Sequence, residues 1–302
     1  KKGSNAASPQ HFRQFDDHFY CQLRKLPNKM FSSLRNLEVL DLSDNLIAIV
    51  EGEALRSLTS LKYLDLSRNP LKTLDAGFLC DVNGLEVLLM QGTNFHNFPV
   101  HMFDCRKKLE NLTYIDFSDN LIDSIPHNAF RSIPNVVTLN LTSNNINNTL
   151  IQRDAFVGLQ KLLTIDFTEN DLTSIPDTLC EHAPDVQYLH MGENRLKSFE
   201  FQAVEVCVHL LLLDLSHNDI KSLVGDIDQP SPLQTLKVSQ NLIKELQTPG
   251  FLRGAQNLTT LDFSMNVIHE IGPTAFDGLS SLKKLDISDN MLKNSSIPLF
   301  SH

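Results

Sequence analysis

Seven aspartates stand in nearly the same four-residue wording, LDLS or a close variant: Asp41, Asp65, Asp116, Asp166, Asp214, Asp262 and Asp286. Carboxylates brought into one column can do three kinds of work. Two that share a proton act as acid and base, several together hold a cation such as calcium, and a row of them steers basic partners and repels acidic ones. His190 and Lys237 interrupt the series where the wording would place an aspartate. The spacings of nucleophilic or metal catalysis are missing around them: eleven histidines are scattered, with no HExxH, GxSxG or CxxC and no glycine-rich phosphate loop. The cysteines Cys21, Cys80, Cys105, Cys180 and Cys207 lie at least 25 positions apart, too far for a zinc site built on local spacing. The expectation is recognition rather than catalysis: no enzyme, no cofactor, no metal, and an acidic stripe that biases the choice of partner.

Composition agrees. With 41% hydrophobic and 21% charged residues over 302 positions, the chain is neither disordered nor collagen-like. A net charge of -10 has the wrong sign for neutralising phosphates, so nucleic acid is not an expected partner. No run reaches the ~18 apolar residues of a membrane helix, and Lys1 to Gln10 is polar rather than an apolar signal core.

The elements that must position these residues come from a repeat. LEVLDLSDNLI from Leu37 returns as LKYLDLSRNPL from Leu61 and as LTYIDFSDNLI from Leu112. Units of this form, L-x-x-L-x-L-x-x-N-x-L, begin at residues 37, 61, 85, 112, 136, 162, 186, 210, 233, 258 and 282. The fourth and sixth positions, such as Leu40 and Leu42, are apolar and alternate with polar ones, which describes a short strand with one buried face. One such strand cannot bury its face alone, but stacking them in parallel makes one continuous core. The ninth position is asparagine in every unit except at Thr93. An inward amide there can bond the backbone where each strand ends, so the column reads as structural.

The pattern resembles the leucine-rich repeat family, in its 24-residue extracellular type. The resemblance implies an α/β repeat fold: a curved leucine-rich repeat solenoid with a parallel β-sheet on the concave face and a mostly irregular or short-helical convex side. Residues 1–36 are expected to be an N-terminal cap or degenerate repeat, with Cys21 in an asparagine slot, and residues 37–302 a solenoid of about eleven repeats. Extracellular relatives seal both ends with cysteine clusters. Neither end carries one here, so the ends read as cut or unusual. Phe31, Phe130, Phe156, Phe251 and Phe276 fall on the return side and are expected to stack as a second spine. Units of irregular length, from Leu85, Val136 and Leu210 (the last with GDIDQPSP, Gly225 to Pro232), are expected to differ in their loops.

Cys80 and Cys105 have similar offsets in adjacent units, as do Cys180 and Cys207, so each couple can form a disulfide; four buried free thiols are the alternative. Pairing would indicate an oxidising compartment. Glycosylation acceptor patterns stand at Asn111, Asn140, Asn147, Asn257 and Asn294, a number close to what composition alone supplies. Asn140 faces out from a strand, where a glycan would obstruct docking. Tyr63, Tyr114 and Tyr188 share the outward third position and, with His190 and Lys237, are the candidate ligand-binding residues of the concave face. The wording is most similar to Toll and Toll-like receptor ectodomains. That resemblance implies an extracellular or cell-surface module binding a protein or pathogen-derived ligand, in a receptor that forms a homodimer or heterodimer. A secreted or cell-surface adhesion or matrix protein is the alternative, and an intracellular scaffold a third.

Overall fold

A computed structural model describes residues 23–225, 227, 230–246, 252 and 254–293. Each repeat unit forms one rung that opens with a three-residue strand. These are β1 (Val39–Asp41), β2 (Tyr63–Asp65), β3 (Val87–Leu89), β4 (Tyr114–Asp116), β5 (Thr138–Asn140) and β6 (Thr164–Asp166), then β7 (Tyr188–His190), β8 (Leu212–Asp214), β9 (Thr235–Lys237), β10 (Thr260–Asp262) and β11 (Lys284–Asp286). All eleven pair in chain order, parallel and in register, as one sheet. Three residues suffice because the middle one is buried in β1 to β10 while its two neighbours look outward. The return side holds two-residue strands, such as Ile49–Val50 between Lys25–Leu26 and Thr73–Leu74, three-residue to four-residue 3-10 turns and a single helical turn at Leu179–His182. This is the solenoid that the repeat predicts, with little helix. Residues 23–36 stack on the first rung through Lys25–Leu26, whose Leu26 is fully buried.

The core runs the length of the stack. In the rung of β5 it takes Val136, Leu139, Leu141, Ile146, Ala155, Phe156 and Leu159, all with no exposed surface. At ~1.5–3 kcal/mol for each large apolar side chain fully buried, the row is the main favourable contribution of every rung. The expected phenylalanine spine is only partly present. Phe130 and Phe156 stack face to face, centroids 6.3 Å apart, while Phe31 and Phe276 pack half-buried against the core. At the same offset in other rungs Leu55 and Leu79 fill the slot, so its requirement is apolar volume and not a ring. Phe251 lies outside the described residues, as do Asp226, Asp228 and Gln229 of the segment after Gly225.

The ninth-position amides fix the rungs to one another. Asn170 Nδ2 shares its two hydrogens among the carbonyls of Leu141 (2.9 Å) in the previous rung and Phe167 (3.1 Å) and Thr168 (3.3 Å) in its own. Its Oδ1 accepts the Ile146 N–H of the previous rung at 2.9 Å. Asn69, Asn144, Asn194, Asn218, Asn241 and Asn266 are buried in the same way. At Thr93 the ladder is thinner: the hydroxyl bonds Met90 O and Asn120 Oδ1, and the Leu71 N–H, lacking an amide oxygen in the next rung, turns to Asn69 O. The residue before each ninth position, from Asp44 to Asp289, has φ between 52° and 63°, the left-handed region, though only Gly92, before Thr93, is glycine. Such a conformation costs a non-glycine residue ~1–2 kcal/mol, and the ladder on either side of it holds the turn in place.

Two disulfides clamp neighbouring rungs on the return side. Cys80 joins Cys105 and Cys180 joins Cys207, each with Cα atoms 5.1 Å apart, so the free-thiol alternative does not hold for these four. Cys21 lies outside the described residues.

Replacing Asn170 with Ala leaves the buried Ile146 N–H with no acceptor and takes one of two donors from the carbonyls of Leu141, Phe167 and Thr168, and is expected to destabilise the protein by about 2–4 kcal/mol. Asn170→Thr should lose roughly half as much, as the hydroxyl at Thr93 still serves one carbonyl. Urea unfolding midpoints check both, and an Ala variant within about 0.5 kcal/mol of the parent would refute the ladder as the restraint between rungs.

Candidate functional site

The outward residues of the strands form two rows across the sheet, the first and third residues of β1 to β11. The third-residue row holds the aspartates, and their geometry explains why they recur. Oδ1 of each accepts the backbone N–H two residues on: Ser43 for Asp41 (2.9 Å), Ser67 for Asp65 (2.8 Å), Ser118 for Asp116 (2.8 Å) and Thr168 for Asp166 (2.8 Å), and likewise after Asp214, Asp262 and Asp286. Asn140 does the same for Thr142 at 3.0 Å. The aspartate closes the turn that ends the strand, which is what an Asx side chain does. Among the described residues no three His, Cys, Asp or Glu side chains are arranged to hold a metal ion.

The turn uses one carboxylate oxygen and leaves the other to the surface, where rungs differ. Burial drives the Asp65 carboxyl above the usual aspartate range; the Ser67 hydrogen bonds offset this only in part, and neighbouring Asp41 adds to it. At Asp214 burial pushes the same way, but hydrogen bonds from Ser216 and Lys237 together with the lysine charge outweigh it and hold the carboxyl below its usual range. Lys237 Nζ lies 2.9 Å from Asp214 Oδ2. This candidate is therefore already paired across β8 and β9. His190 stands in register between Asp166 and Asp214.

The tyrosines share the first-residue row but not one site. Tyr63 and Tyr114 flank Val87, one rung apart on each side, whereas Tyr188 is separated from Tyr114 by Thr138 and Thr164. Burial, with the charges of Asp116 and Asp166, pushes the Tyr114 phenol up to about 12, so its hydroxyl stays a donor at neutral pH. Four apolar residues escaped the choice of candidates: Val39, Val87 and Leu212 in the tyrosine row, and Leu89 where the wording has aspartate. The signal was available, since Leu89 belongs to the long unit that also carries Thr93.

Asn111 and Asn257 are exposed just before their strands, each donating to a carbonyl of the rung before, Asn83 O at 2.7 Å and Ser231 O at 2.9 Å. Asn147 accepts from Thr149 N at 3.2 Å, capping the 3-10 turn Asn148–Leu150. Asn140 lies on the strand face with Nδ2 on Asp116 Oδ2, 3.1 Å away, so a glycan there would stand over the acidic row. Asn294 lies outside the described residues. Among those residues no helix is long and apolar enough to cross a membrane.

Comparison with known proteins bears on the whole array. The family model described as leucine rich repeat matches residues 20–71, 50–95, 83–146 and 231–292, and a BspA type leucine rich repeat region matches 123–251. Mouse Toll-like receptor 7 is 32% identical over 279 residues, 89% of this chain and 26% of the receptor. Rat osteomodulin is 28% identical over 289 residues, 94% of this chain and 59% of its own length. The chain thus spans only part of each relative. Among solved structures, the leucine-rich repeat domain of APL1B matches with a TM-score of 0.69 at 18% identity, over 93% of this chain and 83% of that one. Toll, in the structure of the Drosophila Toll–Spätzle complex, matches with a TM-score of 0.53 at 18% identity, over 83% and 44%. At that identity the two structures bear on the fold alone.

Asp65 and Lys237 give opposite predictions. Asp65→Asn keeps the turn, as Asn140 shows, and removes a charge that folding desolvates, so the variant should be more stable than the parent at about pH 7. Because the folded pKa is raised, the parent sheds its penalty as the pH falls through it, and the difference should vanish by about pH 3. Lys237→Met leaves Asp214 buried beside no cation. That pair's contribution is present above the ordinary aspartate pKa and lost as pH falls through the depressed one, so this variant should be weakest relative to the parent at neutral pH. Urea midpoints across the range check both, and the same sign for the two variants would refute the assignment.

Proposed function

The chain belongs to the leucine-rich repeat family, and we propose that it is the ligand-binding part of an extracellular receptor of the Toll-like kind, taking a protein or pathogen-derived ligand on its strand face without catalysis. One observation carries the reading. The ladder and the core take up the inward side of the strands, yet eleven strands present two outward rows with no chain of this protein packed over them among the described residues. A rigid, uncovered sheet about 50 Å long, from ten inter-strand steps of ~4.8 Å, has the dimensions of a protein interface. Two disulfides support an oxidising compartment and hence an extracellular or cell-surface location. The likeness to Toll-like receptor 7 over 89% of the chain supports the receptor class, and dimerisation on ligand would follow from it.

Osteomodulin favours a second reading, a matrix or adhesion protein, since similarity to it extends over 94% of the chain. In either case the strand face does the binding and the attached sequence decides the consequence.

The test is protein secreted from eukaryotic cells, first mapped for disulfides and for mass before and after glycan removal. It is then offered to soluble extracellular proteins and to insoluble matrix in parallel. The receptor reading expects glycans, both disulfides, and saturable binding of a soluble ligand that weakens at least about tenfold in a Tyr114→Ala, Tyr188→Ala double variant. Retention on matrix alone would transfer the assignment to the second reading, and binding indifferent to both tyrosines would remove the strand face as the ligand surface.

A further inference from the structure

Building on the strand face as the ligand surface, the geometry points to its first four rungs as the docking site for a protein segment that presents apolar side chains bordered by lysine or arginine. Val39, Tyr63, Val87 and Tyr114 stand opposite one another in register on β1 to β4, one unbroken apolar and aromatic row. It spans three inter-strand steps, roughly 14 Å. Leu89 lies on the same face of β3, two residues beyond Val87, and widens the row at its centre. Val39 is 40% exposed and the other four are half-buried, so their outer surfaces remain to be covered. Beyond Tyr114 the row turns polar at Thr138 and Thr164, shows one further pair at Tyr188 and Leu212, and ends in Thr235, Thr260 and Lys284. Nothing else on the sheet matches four consecutive rungs.

The charge around this row selects the occupant. Leu89 lies in register between Asp65 and Asp116, with Asp41 one rung further on. Of the nearby cations, Lys62 pairs with Glu38 at 3.0 Å, and Arg68 pairs with Asp44 at 2.5 Å while its charge also reaches Asp41 and Asp65 without outweighing the burial of Asp65. Asp65 is held as a desolvated carboxylate beside Asp41, a state that a cation brought by the partner would relieve. Aromatic anchors with a charged rim of one sign are the arrangement of a binding hot spot, the rings supplying affinity and the rim selecting charge. A second copy of the chain is disfavoured, because a two-fold contact would set this acidic row against itself.

A random twelve-residue display library selected on the secreted chain supplies the probe, and the peptides it yields are measured against variants with unchanged circular dichroism and melting. Expected are peptides joining Leu, Ile or Phe to Lys or Arg, bound at least about tenfold more weakly by Tyr114→Ala and by Val87→Lys. Val87→Glu should lose less than Val87→Lys, since both remove the same apolar contact and only the lysine repels a basic partner. Asp65→Asn should bind about two- to fivefold more weakly, with a shallower salt dependence, although its fold is the more stable. Tyr188→Ala should bind as the parent does. Peptides without basic residues, equal loss in the two Val87 variants, or parent-like binding by both would overturn the assignment. Peptides sensitive to Tyr188→Ala alone would move the site along the face and leave the receptor reading standing, whereas failure to select any peptide would count against both. Self-association in sedimentation equilibrium abolished by Val87→Lys would assign the row to a second copy instead.

Discussion

The asparagine ladder is the constraint on which the rest of the molecule depends. Parallel strands of three residues are too short to hold themselves in register, and each leaves its carbonyls facing the core where the chain turns away. A single amide, with two hydrogens and one oxygen in fixed relation, meets that demand for its own turn and the previous rung together. No other uncharged side chain of that length offers donors and an acceptor at once. The left-handed residue preceding each asparagine follows from the same requirement. The turn must be tight enough to deliver the amide inward, and the chain accepts the cost at Arg68, Glu169 or Met265 without resorting to glycine.

The outward chemistry is subordinate to that inward one. An aspartate in the third strand position first closes its own turn through Oδ1, and only the remaining oxygen is available to a partner. The acidic stripe is therefore a by-product of strand termination that recognition can exploit. This also explains why the stripe can be interrupted. Asn140 closes its turn with an amide oxygen, and where β3 carries Leu89 the carboxylate is given up altogether. Stability and binding pull in opposite directions at Asp65, whose desolvated charge burdens the fold and attracts a cation. Lys237 shows the internal solution to the same problem, a cation supplied by the next rung.

How much of this could be read from residues alone follows from which forces are periodic. Strand positions, the buried fourth and sixth residues and the amide column recur every 23–27 residues, and these came directly from spacing. The disulfide pairs were legible for the same reason, because similar offsets in adjacent units mean nearly the same height in a stack. Reading stopped where a slot specifies only volume. The return-side position takes Phe130 and Phe156 but equally Leu55 and Leu79, so a ring pattern in sequence did not imply a continuous ring stack. It stopped also where neighbours matter more than type. Exposed tyrosines attract attention singly, yet what distinguishes Tyr63 and Tyr114 from Tyr188 is the valine between them, visible only once the rungs are aligned side by side. The role of the aspartates was hidden in their wording: Asp followed two residues later by Ser is a turn signal, and reading the column as free carboxylates overlooked the bond each makes locally.

The placement of the clamps gives the array a direction. Cys80 and Cys105 join the return segments of the rungs that carry β2 and β3, so the covalent link lies behind Tyr63, Val87 and Leu89. The rung of β3 is also the one with Thr93, where the ladder is thinnest. A disulfide of this loop length offsets about 3 kcal/mol of chain entropy, comparable with what the missing amide would contribute. The thinnest step of the hydrogen-bonded stack is thus one of the two that are bridged, the other, between the rungs of β6 and β7, keeping its full ladder at Asn194. A surface held still in advance loses little freedom when a partner settles on it. The covalent bond on one side of the solenoid and the apolar row on the other therefore belong to one arrangement, in which rung 3 gives up its amide and its aspartate, and the crosslink preserves the geometry that those two residues secure elsewhere.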